Sequence, residues 1–449
     1  MIGGRHFSAR LAAAGLGWLV ALSGTGCATH TDRLVPVMER TSAGDYSAAV
    51  DVLNDVIGVE STDELPRKWG ADSALGILDR GVLLQALARF SDSARDLSAA
   101  EQELELIDIT KDPVGTLAGY IYSDTKKPYK ATPSERLTLN GVNLLNYVTG
   151  ADMEGAAVEA RRFQVARDYL DSESIDDGGV SAFGAYLAGF VFEHRGEGDR
   201  ALRYYEDALE LGPLPSLAAP AARLAKVNPF RGPRLQSLLA GKPKPRASSD
   251  GDLLVVLCLG RVAHKVPERM PVGAAIGLAG AAMTGDSDWL VRGATKFIVY
   301  PELVSTPSTL GSANVRIDGR DIQLEQLIDL DAAVRREYEE MKPKIIAAAL
   351  TRLASRAAVA EGVRVAGQQD SNALGDVLAF VVEGALVGLD RPDTRSWTMM
   401  PARVLVARVP VSPGEHNVEV SFDGAYSTRT SSVSIAPGGY GAVVITEPR

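Results

Sequence analysis

"SAFGAYLAGFVFEHRGEGDRALRYYEDALELGPLP", residues 181–215, decides how the first half of this chain is read. Gly189 and Phe192 place a small and then a bulky residue on a first helix, and Gly196 ends that helix. Ala201, Tyr205 and Ala208 follow on a second helix, which Pro213 closes. Small residues let two antiparallel helices approach, and aromatic rings fill the space left between them. A glycine makes the sharp turn, and a proline stops the second helix. The stretch therefore predicts a helical hairpin.

The hairpin resembles a tetratricopeptide repeat, and weaker copies surround it. "MERTSAGDYSAAVDVLNDV" carries Gly44, Asp45, Tyr46 and Ala49 at the turn and second-helix positions. "LDRGVLLQALARFSDSARDLSAAEQELE" has Gly81, Leu84, Ser93 and Leu97 at matching offsets, but its turn lacks the glycine. "LLNYVTGADMEGAAVEARRFQVARDYL" has Tyr147, a turn at Gly150 to Asp152, and then Ala156, Ala160 and Phe163. Aligned second-helix positions fall at Ala49, Ser93, Ala156 and Ala201, in steps of 44, 63 and 45. Regular arrays of this kind step by about 34 residues, so longer connections are expected, the largest between Asp108 and Pro133. Such arrays offer a concave surface to peptides or other proteins. Tyr147, Gly189, Phe192, Ala201, Tyr205 and Ala208 are the framework expected to bind a protein partner. The competing expectation is that the array only braces the second half of the chain. Within "VEARRFQ", Glu159 is expected on a solvated helix face, paired locally one turn on.

Upstream, Met1 to Gly26 has the layout of an export signal: Arg5 and Arg10, the 12-residue apolar run "LAAAGLGWLVAL", then small residues before Cys27. The run is short for a membrane span, which takes about 20 apolar residues. "SGTGC" resembles the lipobox of bacterial lipoproteins, although Gly24 stands where a lipobox usually carries Leu. That resemblance implies cleavage before Cys27, diacylation of its thiol, and anchoring on the periplasmic face of the outer membrane. The alternative is ordinary cleavage and a soluble periplasmic protein.

The 449 residues carry 47 basic and 57 acidic side chains, a net charge of −10. Loss of Arg5 and Arg10 with the leader leaves 45 against 57, near −12. This argues against nucleic acid, since phosphate binding needs clustered Lys and Arg. With Cys27 lipidated, Cys258 in "DLLVVLCLG" is left alone as a small buried apolar residue.

"NPFRGPRLQSLLAGKPKPRASSDGD" (228–252) reads as a basic, Pro/Gly/Ser-rich linker. Beyond it the pattern changes to strands: "LLVVLCLGRVAHKV", "KFIVYPELV", and "ANVRIDGRDIQL" with a turn at Asp318-Gly319. A long helical stretch from Leu327 follows, which Pro343 is expected to kink or restart. "NALGDVLAFVVEGALVGLD" is expected to form a very apolar second helix packed with it on a sheet. The last four strands, from Arg403, suit a small β-sandwich. The expected fold is thus an α-helical tetratricopeptide-like repeat array (27–227), a linker (228–251), an α+β domain (252–390) and a C-terminal β-sandwich-like module (391–449).

The order of features resembles a family of uncharacterised bacterial tetratricopeptide-repeat lipoproteins, mostly of Gram-negative cells. The shared elements are "LDRGVLLQ", "LLNYVTGADMEGAAVEARR", "AYLAGFVFEHRGEGDRALRYYEDALE", "HKVPERMPVG", "DTRSWTMMPARVLVAR" and "PGEH". The resemblance implies an architecture and a compartment, not a reaction.

Motifs for chemistry are sparse. The five histidines, His6, His30, His194, His264 and His416, are not spaced for a metal, and HExxH, CxxC, GxSxG and Walker patterns are absent. No enzyme activity, cofactor or metal is expected. The best candidate ligand site, or structural corner, is Asp393, Arg395 and Trp397, with His416 nearby. Arg395 could hold a carboxylate or phosphate, and strand alternation would put it on one face with Trp397. The expected role is a protein-interaction adaptor in envelope assembly or secretion. The alternatives are a protein binding or hydrolysing an envelope polymer, and a ring-forming export accessory.

Overall fold

The computed structural model describes residues 29–106, 128–241, 250–279, 297–308, 310, 312–367, 392–423 and 428–449. Cys27, the leader and the apolar stretch 372–390 lie outside them, as does most of the 108–133 connection. About half of the structure is helical. An α+β part of small, mainly antiparallel sheets follows.

The helices come in antiparallel pairs: α1 (His30–Ser42) with α2 (Tyr46–Ile57), α3 (Ser73–Ala86) with α4 (Phe90–Glu103), α5 (Pro133–Thr149) with α6 (Met153–Ser172), and α7 (Ser181–His194) with α8 (Gly198–Ala208). Each pair closes on a left-handed residue: Gly44, Ala88, Ala151 or Gly196, with φ of 77°, 58°, 56° and 80°. In each, the next N–H donates to a carbonyl five residues back: Asp45 to Arg40, Arg89 to Leu84, Asp152 to Tyr147 and Glu197 to Phe192. This bond caps the last turn of the first helix. Side chains start several helices: Asp45 caps α2, Asp152 caps α6, and Thr132 and Glu135 form a reciprocal cap on α5. Between α4 and α5, two short strands pair in parallel, β1 (Glu105–Leu106) and β2 (Lys130–Ala131). Two short helices, α9 (Ala218–Leu224) and α10 (Pro233–Ala240), continue the array. The segment read as a free linker therefore begins folded: Leu235 is buried, and the N–H groups of Arg234 and Leu235 donate to Glu206.

Two four-stranded sheets follow, and β3 (Gly251–Leu259) opens the one that lies against the helices. This inner sheet has the order β12 (Tyr440–Glu447), β3, β9 (Arg403–Val411), β8 (Glu325–Asp329). The outer sheet has the order β11 (Arg429–Ile435), β10 (Gly414–Phe422), β6 (Ala313–Ile317), β7 (Arg320–Ile322). β3 runs parallel to β12 and antiparallel to β9. All of β3 is buried because its two faces meet different layers. Leu254, Val256 and Cys258 pack with the helices, whereas Leu253, Val255, Leu257 and Leu259 pack with Val315, Val418 and Val420 of the outer sheet. A continuous apolar run is what a strand buried on both faces requires. The layers are helices, sheet and sheet.

This corrects the expected division at residue 390. The last four strands form no sheet of their own: β9 and β12 flank β3, and β10 pairs with β6. The Asp318-Gly319 turn falls between β6 and β7, both residues at positive φ. A smaller lobe is built from the antiparallel pair β4 (His264–Pro271) and β5 (Phe297–Val304), with α11 (Val272–Ala279) and α12 (Leu330–Gly367), around its own apolar cluster. Pro343 does not restart the long helix: α12 runs through it as one element. Among the described residues no helix is long and apolar enough to cross a membrane.

Candidate functional site

The seam between the helical array and the inner sheet holds several buried polar contacts. α3, α5 and α7, the first helices of three hairpins, are buried almost throughout. The first two send polar groups into the C-terminal part. Asp79 of α3 accepts from the Thr398 hydroxyl and the Met399 N–H, both at 2.8 Å. Gln85 accepts from the Thr446 hydroxyl at 2.6 Å. Glu135 of α5 accepts the Trp397 N–H at 2.9 Å. Burial raises the Asp79 carboxyl to about 6, against the pull of its two donors.

α7 joins the sheet through Arg408 of β9, the centre of a buried charged cluster. The Arg408 guanidinium contacts Asp252, Glu193 at 2.9 Å and the Tyr205 hydroxyl at 2.8 Å, and it lies 4.8 Å from the Phe190 ring centroid. Burial alone would raise the Glu193 carboxyl, but Arg408 overrides it and holds that carboxyl below the usual range. Glu193, His194 and Asp252 bring potential metal-ligand atoms within 4.8 Å of one another. The guanidinium already supplies their positive charge, so the trio is a salt-bridge site in its geometry.

The framework residues named from sequence fall inside this packing. A Cβ on Gly189 would lie well inside van der Waals contact of the Tyr205 ring, so glycine is what lets α7 and α8 approach. Phe192 stacks on Tyr204 with centroids 5.5 Å apart, and Ala201, Tyr205 and Ala208 are buried. These side chains hold hairpins together and are not available to a partner. Of the six, only Tyr147 reaches an open surface. It lines a groove of about 600 Å³ with Phe90, Arg95, Ser98 and Asp152. Phe90 also borders a second groove of about 480 Å³, which runs along the β12 residues Ala442–Thr446.

Asp393 and Arg395 form a two-pronged ion pair, with Nε–Oδ1 2.9 Å and Nη2–Oδ2 2.6 Å. Burial opposes it, but Arg395 holds the Asp393 carboxyl below its ordinary range. Arg395 also reaches Asp72 at 3.5 Å and lies 5.7 Å from the Tyr129 ring. Residues 392–397 are not a strand, so the expected alternation with Trp397 does not arise. Trp397 is 1% exposed and sits in the main core. His416 is on β10 and bonds Asp318 and the Ser412 carbonyl, both at 2.7 Å, apart from this corner.

Glu159 corrects another expectation. It is 1% exposed, not solvated, although the local pair with Arg162 exists at 3.6 Å. Asn140 donates to both Glu101 and Glu159, and Asn143 donates to Glu159 and Ser98. Burial, then the nearby Glu101 charge, pushes the Glu159 carboxyl up to about 7. The signal was present in "LNGVNLLN": three asparagines at intervals of three among leucine, glycine and valine need buried partners.

No protein-family model, curated protein or solved structure matches the chain.

Proposed function

We propose that this chain is an exported lipoprotein, anchored through Cys27 on the periplasmic face of the outer membrane, that acts as a protein-interaction adaptor in the cell envelope. Its hairpins are read as tetratricopeptide-like units. One observation carries the reading of the binding face. The inner helices are covered by the chain's own sheet, while the groove beside Tyr147 and Phe90 stays open. Its aromatic rings, next to Arg95, Ser98 and Asp152, suit an extended peptide with both apolar and polar side chains. In this reading the sheet braces the array, and recognition moves to the furrow at the hairpin turns.

The test is crosslinking of the tagged chain in cells, beside a variant with Phe90→Ala and Tyr147→Ala. A discrete protein captured by the parent and lost in the variant supports the adaptor reading. The same capture pattern in both chains overturns the groove assignment. A Cys27→Ser chain should leave the membrane fraction, and its retention there at high salt would overturn the anchor.

A further inference from the structure

A small cavity of about 40 Å³ lies where the α11–α12 lobe meets the main body. Its lining includes Glu135 of α5, Lys265 of β4, Glu337 and Tyr338 of α12, and Trp397. Two buried polar atoms have no hydrogen-bond partner there: the Trp397 Nε1 donor and the Glu337 Oε1 acceptor. An unmade buried hydrogen bond is costly, and this mainly apolar cavity has room beside its two orphaned polar atoms for a water, which can accept from one group and donate to the other.

The position along α12 matters. Leu330 and Ala333 belong to the main core, whereas Tyr338, Met341 and Ile345 belong to the lobe's separate core. Glu337 stands at the changeover. The charges facing it are Glu135 from α5 and Lys265 from β4. Behind Lys265, whose Nζ reaches the Arg395 carbonyl at 3.3 Å, lies the Asp393–Arg395 pair. On its own helix, Tyr338 is engaged elsewhere, donating to the Pro301 carbonyl. Glu135 is held in place by the Tyr129 hydroxyl and the N–H groups of Thr132 and Trp397, so it cannot turn away.

We propose that this cavity is a proton-gated seat for α12: with Glu337 protonated the helix closes against α5 and Trp397, and with Glu337 ionised against Glu135 the lobe lifts from the body. Burial, opposed in part by a bond from Ser134, raises the Glu337 carboxyl to about 7, so the gate operates near neutral pH. The sign follows from linkage. A raised carboxyl value in the closed state stabilises that state fully below about 4.5, and the stabilisation is lost as pH rises through about 7.

The test is amide hydrogen exchange of residues 330–345 at pH 6 and pH 8.5, corrected for intrinsic exchange, in the full chain. The parent's local opening should rise about tenfold between the two values. In Glu337→Gln, which mimics the protonated form, that rise should vanish. Lys265→Met removes the charge that favours ionisation, so its opening midpoint should move to higher pH. An equal rise in Glu337→Gln, or an unmoved midpoint in Lys265→Met, overturns the proposal.

Discussion

Arg408 of β9 donates to Glu193 of α7 at 2.9 Å, across 215 positions of sequence, with both side chains almost fully buried. The Tyr205 hydroxyl joins the same guanidinium from α8. The hairpin that most clearly announces a repeat in the sequence is thus also the one bolted to the sheet.

Arg408→Met should destabilise the fold by about 3–5 kcal/mol, because it takes from the buried Glu193 and Asp252 the one guanidinium they share, leaving Glu193 with Arg223 at the rim of the cluster and Asp252 beside His194. Denaturant unfolding measures this. A loss below about 1 kcal/mol would mean that water or Arg223 takes over the neutralisation.

Ala88 adopts φ 58° at a hairpin turn where Gly44 and Gly196 occupy the equivalent places. A left-handed residue with a Cβ costs roughly 1–2 kcal/mol. Ala88→Gly should therefore raise stability by about 1 kcal/mol, seen as a higher urea midpoint at unchanged slope, while Gly196→Ala should lower it by a similar amount.

Gly189→Ala drives a methyl into the Tyr205 ring. Overpacking of this sort costs about 1–3 kcal/mol. Pairing it with Tyr205→Leu should recover part of the loss, so a double-mutant cycle with no coupling would show that the contact is not what requires glycine.

Asp79 and Glu159 both have raised carboxyl values, about 6 and about 7. Raised values mean that the native state binds protons more tightly than the unfolded one. Their contribution is complete below about pH 4 and is lost as pH climbs through about 6 and 7. Thermal midpoints of Asp79→Asn and Glu159→Gln should fall less than the parent's between pH 5 and 8. Parallel curves for all three chains would contradict this.

Cys258 is buried, and burial pushes its thiol up to about 12. In a Cys27→Ser chain a thiol reagent at pH 8 should find no reactive group until denaturant is added, and one afterwards.

The hairpins were legible because their signals are local. Gly44 and Gly196 announce left-handed turns, and Asp318-Gly319 announces a strand reversal. Each depends on the conformation of a few neighbouring residues. Ala88 makes the same turn without a glycine, because the surrounding helices impose it, and in the turn read at Gly150 to Asp152 the left-handed residue is Ala151 and not the glycine. Glu159 was misplaced for a related reason: its pairing with Arg162 is local and real, but its burial is set by Asn140 and Asn143 on another helix.

The sequence by itself determined the helical hairpins, a buried strand in the run from Leu253 and the burial of Cys258, since helix ends, turns and apolar runs are written in consecutive residues; the end of that strand at Leu259, with a new one from His264, was not legible. Tertiary structure alone decided that β3 lies between β12 and β9, that Arg408 answers Glu193 and Asp252, and that the chain's own sheet covers the array's inner helices. Those outcomes rest on strand order and on charges far apart along the chain, which no local pattern encodes and which only burial in a shared core selects.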